Sequence, residues 1–179
     1  MMKKVVLGLV LAASAFTAIA QDALTTIPSL NVPRYMGTWY EIAKYPNFFQ
    51  RKCTSNTVAQ YSTQADGTVR VFNSCTQEDG KAIDALGQVR QIGDSASPKL
   101  EVRFAPEWLS FLPFVWGNYW VVDIDPDYQL VAVSEPKREH LWVLSRTPTV
   151  NTKAYDELMV RLRAKSLDTS KLERTRQGP

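Results

Sequence analysis

The chain has 179 residues, with 21 Lys and Arg against 18 Asp and Glu, one histidine, and a formal net charge of +3 at pH 7. A nucleic-acid surface needs Lys and Arg clustered on one face, and no such cluster occurs, so that class of partner is excluded. The size suits one domain with a sizeable core rather than two.

In chain order, Lys3 and Lys4, an apolar run from Val5 to Phe16, and Ala18-Ile19-Ala20 give the charged, apolar and small-residue sequence of a secretory signal peptide over residues 1–20. The run is too short for a membrane-spanning helix, which needs about 20 apolar residues. No cysteine follows it, so a lipid-anchored amino terminus is not supported. The mature domain, 21–179, is therefore expected to be exported, either to a periplasm or to the medium. Without Lys3 and Lys4 the basic count falls to 19 against 18 acidic residues, a net charge of +1. Residues 21–36, with Pro28 and Pro33, have no period and read as an irregular lead-in.

From position 37 to about Pro148 short alternating runs are separated by turn residues. "GTWYEIAKYP" sets Trp39, Glu41, Ala43 and Tyr45 on one face. "NTVAQYS", "VRVFNSC", "DALGQVRQI", "KLEVRFA", "NYWVVDI", "YQLVAVSEP" and "HLWVLSRTP" follow, and "ADGT" and "EDGK" are hairpin turns. Between Pro148 and Ser170, Ala154, Leu158 and Leu162, with Tyr155 and Met159 beside them, trace an amphipathic helix capped by Asn151 or Thr152. A short edge strand around Leu172 and a polar tail complete the chain. Eight antiparallel strands and one late helix fit an all-β up-and-down barrel with the helix packed outside, or a two-sheet sandwich. Sequential hairpins and the need to hide strand edges favour the barrel.

Cys53 and Cys75 are an even pair in an oxidising compartment and read as a disulfide, with a reactive thiol or metal site as the weaker alternative. Closing that loop of roughly 23 residues stabilises a fold by about 3.5 kcal/mol in the chain-entropy model. No phosphate loop, nucleophile elbow or zinc-helix motif is present, and neither a cofactor nor a metal is expected. His140 reads as a solvated turn residue. Asp123 and Asp125 in "DIDPDY" read as turn chemistry. Glu41 shares a face with Trp39, and a buried carboxylate there needs a partner, with Arg70, Arg90 or Arg103 as candidates. "APEWLSFLPFVWGNYW", at 105–120, crowds Trp108, Phe111, Trp116 and other apolar residues between Pro106 and Trp120. In a loop, that density marks the lip of a binding site or a contact with lipid or protein. Phe48 and Phe49 are candidates for the facing wall of the mouth.

"GTWYEIAKYPNFFQ", "DPDYQLVAVSEPKREHLWVLSRTP" and the single late helix together resemble the lipocalin family over residues 31–168. The likeness is strongest to bacterial lipocalins of the outer-membrane group, with apolipoprotein D and the plant temperature-induced lipocalins as more distant kin. Gly37-x-Trp39, Asp123 to Tyr128 and Arg146 are the three family blocks in order. The resemblance implies an eight-stranded calyx that binds a small hydrophobic or amphiphilic molecule, such as a fatty acid or lysophospholipid, without being an enzyme. It also implies that Trp39 closes the barrel floor, with Arg146 packed across it. By similarity to apolipoprotein D, Tyr61, Asn73 and Trp142 match cavity positions, and Tyr45, Phe104 and Leu144 complete the candidate wall. Two departures stand out: the leader lacks the lipid-modified cysteine of many bacterial relatives, and Cys53 lacks a partner near the carboxyl terminus, leaving Cys75 to tie the first loop to the third strand. The resemblance leaves a lipid-converting enzyme or an interaction module as alternatives. A monomer or homodimer with a peripheral membrane contact is the expected state.

Overall fold

The computed structural model describes residues 22–178, so the signal-peptide expectation lies outside the described residues. Eight strands run in chain order: β1 Gly37–Lys44, β2 Ser55–Thr63, β3 Val69–Thr76, β4 Ala82–Gln91, β5 Lys99–Arg103, β6 Gly117–Ile124, β7 Leu130–Ser134 and β8 Leu141–Ser145. Each pairs antiparallel with the next, and β8 pairs back with β1, so the sheet closes into a barrel rather than a sandwich. The two Asp-Gly turns form as their sequence dictates. Gly67 and Gly80 take φ of +82° and +81°, values that strain any side chain with a Cβ. The carboxylates of Asp66 and Asp79 accept from the backbone N–H of Thr68 and Lys81.

The barrel has a packed inner core and a second core outside it. Trp39, Tyr61, Val71, Val89, Val121, Val131, Val133 and Leu144 fill the inside. The helix α2, Thr152–Ala164, starts at Asn151, whose side chain accepts from the N–H of Ala154. It buries Tyr155, Leu158, Met159 and Leu162, the three-and-four stripe, against Ile42, Ala43, Val122, Ala132 and Val143 on the barrel's outer face. Arg161 of this helix makes a two-pronged ion pair with Asp123, at 2.9 and 3.0 Å. Asp123 is therefore a strand residue anchoring the helix, whereas Asp125 follows the turn expectation and accepts from the N–H of Asp127, Gln129 and Leu130.

Three local features depart from the sequence expectation. The lead-in contains a one-turn helix, α1 (Val32–Tyr35), capped by Asn31 with Pro33 in its first turn; four residues are too few for a periodic signal. The tail is an ordered element rather than a polar end. Beyond β9, Glu173–Arg174, which pairs with Ala43 and Lys44, it continues as Thr175 N–H to Ile42 O and Asn56 N–H to Arg176 O, filling the gap where β1 and β2 stop pairing. The third is a β-bulge in β1 between Glu41 and Ala43. A bulge inserts one residue and exchanges the faces beyond it. Trp39 and Glu41 point inward as alternation predicts, but Ala43 and Tyr45 join the outer core against α2, and Lys44 turns inward opposite Trp142.

Candidate functional site

The start of β1 and the end of β8 lie at the floor, so the loops 45–54, 77–81, 104–116 and 135–140 all lie at the opposite, open end. The floor is solid. Trp39 is fully buried, and its indole N–H donates to Tyr35 O at 2.8 Å. The Arg146 guanidinium lies 3.8 Å from the centre of the Trp39 ring and donates to the carbonyls of Thr38, Arg34 and Tyr128. Burial lowers the Arg146 pKa from its ordinary value. Above the tryptophan, the hydroxyls of Tyr35, Tyr61 and Tyr119 form a chain with spacings of 2.7 and 2.9 Å. Burial pushes Tyr61 up to about 12 and holds Tyr35 and Tyr119 well above the ordinary tyrosine range, so all three stay neutral donors.

The upper half differs. Alternation turns Thr57 and Ala59 of β2, Asn73 of β3, and Ile83 and Ala85 of β4 toward the barrel axis, yet water still reaches Ala59, Asn73, Ile83 and Ala85. Inward-facing side chains that remain accessible define open space. Phe104 lies over Gly87, where an added Cβ would sit 2.8 Å from its ring, so the glycine makes room for the aromatic wall. Thr57 Oγ1 and Asn73 Oδ1 are buried without any hydrogen-bond partner in the protein. Buried polar atoms left unsatisfied are costly.

At the mouth, loop 45–54 folds back over the opening. The Gln50 side chain donates to Glu41 Oε2 at 2.6 Å and accepts from the Trp142 indole N–H at 2.8 Å. Glu41 is 2% exposed, and its other oxygen accepts from the Thr175 hydroxyl at 2.6 Å. Burial raises its pKa, and these hydrogen bonds oppose the rise. Its partners are thus Gln50 and Thr175 rather than an arginine: Arg90 and Arg103 lie on the outer face, one bonded to Glu101 and the other to Gln88, and Arg70 is also on that face. His140 is not a free turn residue. It stacks on Trp142 at 5.6 Å and meets Phe49 at 5.8 Å, an aromatic ladder from the rim inward. Cys53 is bonded to Cys75, which anchors the far end of the loop to β3 and leaves no free cysteine.

Asn73, Phe104 and Trp142 thus converge on the open upper half. Tyr61 and Leu144 sit lower, at the top of the packed floor, and the Tyr61 hydroxyl is engaged by Tyr119. Tyr45 is on the outer face, moved there by the bulge. Phe48 and Phe49 on one loop and Trp108 and Phe111 on another are each 70–76% exposed at the open end, and Phe114 of the same aromatic segment is 80% exposed. Trp116 folds back instead, onto the outer sheet, with its ring 4.0 Å from the Arg90 guanidinium and its indole N–H on Ser110 O. Gln50, Thr57, Lys44 and Thr175 are the mouth residues that sequence reasoning passed over. A cleft of about 630 Å³ also lies outside the barrel between α2 and the β6–β7 turn, and one of about 640 Å³ between the β2–β3 turn and segment 103–107 is lined by Gly87 and Phe104 together with the outward Arg70 and Gln88. The first is crossed by the Asp123–Arg161 ion pair.

A closed barrel with a sealed floor, an accessible upper chamber and an aromatic rim defines a calyx for small molecules. A family model described as a lipocalin-like domain matches residues 30–177, and the chain belongs to the lipocalin family, whose members bind small hydrophobic ligands. It is 40% identical over 157 residues to temperature-induced lipocalin-1 of Arabidopsis thaliana, covering 87% of this chain and 83% of that one. It is 33% identical over 167 residues to outer membrane lipoprotein Blc of Escherichia coli K12, covering 89% and 90%. Identity is thus higher to the plant protein than to this bacterial one. Among solved structures, insecticyanin from the tobacco hornworm Manduca sexta superimposes with a TM-score of 0.66 at 18% identity, covering 85% and 83%, a likeness of fold.

Proposed function

We propose that this protein binds fatty acids, lysophospholipids or similar amphiphiles in the upper calyx and carries or stores them as an exported protein of the cell envelope. The observation that carries the reading is the chamber: inward-facing apolar positions open to solvent above a sealed floor, beside the buried and unpartnered Thr57 Oγ1 and Asn73 Oδ1. Affinity comes from burying chain methylenes, about 0.8 kcal/mol each, and orientation from the polar atoms. A binder rather than a catalyst fits the remaining groups, because both sulfurs are bonded to each other and the Glu41 carboxylate is taken up by two hydrogen bonds. Exposed Trp108, Phe111 and Phe114 favour a peripheral contact with a lipid surface at the open end, which shortens the path of an insoluble ligand. Among the described residues no helix is long and apolar enough to cross a membrane. Titration with a fluorescent fatty-acid probe, and native mass spectrometry of the purified protein for a co-purifying lipid, test the reading. Saturable binding that is weakened by Asn73→Leu supports it. Absence of both probe binding and bound lipid refutes it.

A further inference from the structure

The side chain that bridges Glu41 and Trp142 at the mouth comes from a surface loop, not from the barrel wall. Gln50 is placed by its own loop: its backbone N–H donates to Asn47 Oδ1 at 3.0 Å, and Asn47 Nδ2 donates to Tyr45 O and to Gln50 Oε1. From there its amide reaches two wall groups that have no other hydrogen bond of that kind to share. Among the described residues the Glu41 Oε2 atom takes its only hydrogen bond from Gln50, and the Trp142 indole N–H gives its only one to Gln50. If the loop lifts to admit a ligand, the buried carboxylate oxygen loses its donor and the indole loses its acceptor. Leaving either unpaired inside the wall is unfavourable, so whatever replaces Gln50 is selected for supplying both.

We infer that the Gln50 side chain is a resident stand-in for the ligand's head group, and that the mouth selects an amphiphile whose head carries a hydrogen-bond donor and an acceptor side by side, as a primary carboxamide does. The inference rests on the proposed carrier function and narrows it. A donor meets Glu41 and an acceptor meets Trp142, in the order already realised by the glutamine. An ester supplies only the acceptor. A carboxylate supplies no donor and brings a negative charge against Glu41, whereas an amide reproduces the contacts of Gln50. Lys44, turned inward by the bulge, has its charge partnered by the carboxylate of its cross-strand neighbour Glu173 at 3.8 Å. The loop swings on fixed ends, held by the disulfide at Cys53 and by the Tyr45 N–H bonded to Leu141 O, so that lifting Gln50 moves Phe48 and Phe49 with it.

The test compares three probes with one long acyl chain, the primary amide, the carboxylate and the methyl ester, by competition against a fluorescent lipid at neutral pH. Wild type is expected to bind the amide roughly tenfold more tightly than the ester, the worth of one buried hydrogen bond. Gln50→Ala removes the resident competitor and is expected to tighten amide binding several-fold while keeping the order of the three probes. Glu41→Gln, near-isosteric and so able to fold, is expected to shrink the gap between amide and carboxylate. Equal affinity for all three probes in wild type, or weaker amide binding in Gln50→Ala, overturns the inference while leaving the carrier function standing. Failure of every probe to bind removes the carrier function and this inference with it.

Discussion

Arg146→Ala is the sharpest test of how the floor is closed. The substitution deletes a guanidinium 3.8 Å above the Trp39 ring and its hydrogen bonds to Thr38, Arg34 and Tyr128. The cation–π contact is worth about 1 kcal/mol at a partly exposed site. Hydrogen bonds to a charged donor are worth about 1.5 kcal/mol or more each. Here one is long, at 3.3 Å, and one lies at the exposed rim, where water replaces the donor, so the three together are taken as about 2 kcal/mol. The expected loss is therefore about 3 kcal/mol. For a domain of this size, 1 kcal/mol corresponds to about 3 °C in Tm, so a fall of about 9 °C follows. Arg146→Lys keeps the charge over the indole but not the planar fork, and should recover roughly half. Urea unfolding followed by tryptophan fluorescence and by circular dichroism supplies both quantities. A loss below about 0.5 kcal/mol for Arg146→Ala would refute the claim that this pairing holds the floor.

Reducing the disulfide, or the double replacement Cys53→Ser with Cys75→Ser, should lower stability by about 3.5 kcal/mol, measured by denaturant titration with and without reductant; a loss under about 1 kcal/mol would mean that loop 45–54 is held by its other contacts. Replacing Trp108, Phe111 and Phe114 together by Ser should weaken partition onto phospholipid vesicles by about three orders of magnitude, since each exposed aromatic is worth about 1.5 kcal/mol when buried, and probe affinity in solution should not change. Unchanged vesicle binding would move the membrane contact elsewhere. Glu41 titrates above its ordinary 4.5 because burial disfavours the charged form. The native state therefore holds a proton that the unfolded chain has lost, and this group's contribution to stability falls as pH rises from about 4.5 through the raised native value. Wild type minus Glu41→Gln should accordingly decrease from pH 4 to pH 7 in urea titrations, and a difference that grows over this range contradicts the burial assignment.

Strand order, the helix and the disulfide were legible because each follows from local rules: alternation between Asp-Gly turns, the three-and-four stripe through Leu158 and Leu162, and two cysteines in one exported chain. The site was legible only in part. Strict alternation places Tyr45 in the cavity, and a single extra residue between Glu41 and Ala43 reverses the face of everything after it. No residue type in "EIAK" announces that bulge; the outer core drives it by burying Ile42 and Ala43 together against α2. Trp116 was misplaced for a related reason: aromatic density in a loop says that the loop contacts something, and for this one ring the partner is Arg90 on the protein's own outer wall. Gln50 and Thr175 carry no signal at all as isolated residues. Their meaning comes from Glu41, which lies nine positions before one and 134 before the other.

The floor and the mouth divide the work of binding along the same strand. Below the bulge, Trp39 belongs to an assembly whose hydrogen bonds are satisfied internally and whose tyrosines stay neutral, so it offers a ligand shape but little polar choice. Toward the mouth, Glu41 and Trp142 depend instead on side chains supplied by the first loop and the tail, segments outside the eight strands of the barrel. Under the proposed carrier function, the ligand's chain end would meet a fixed surface and its head group a replaceable one. Substitutions at the floor should change stability and leave head-group preference alone, whereas substitutions at Gln50, Glu41 or Thr175 should change that preference at modest cost in stability.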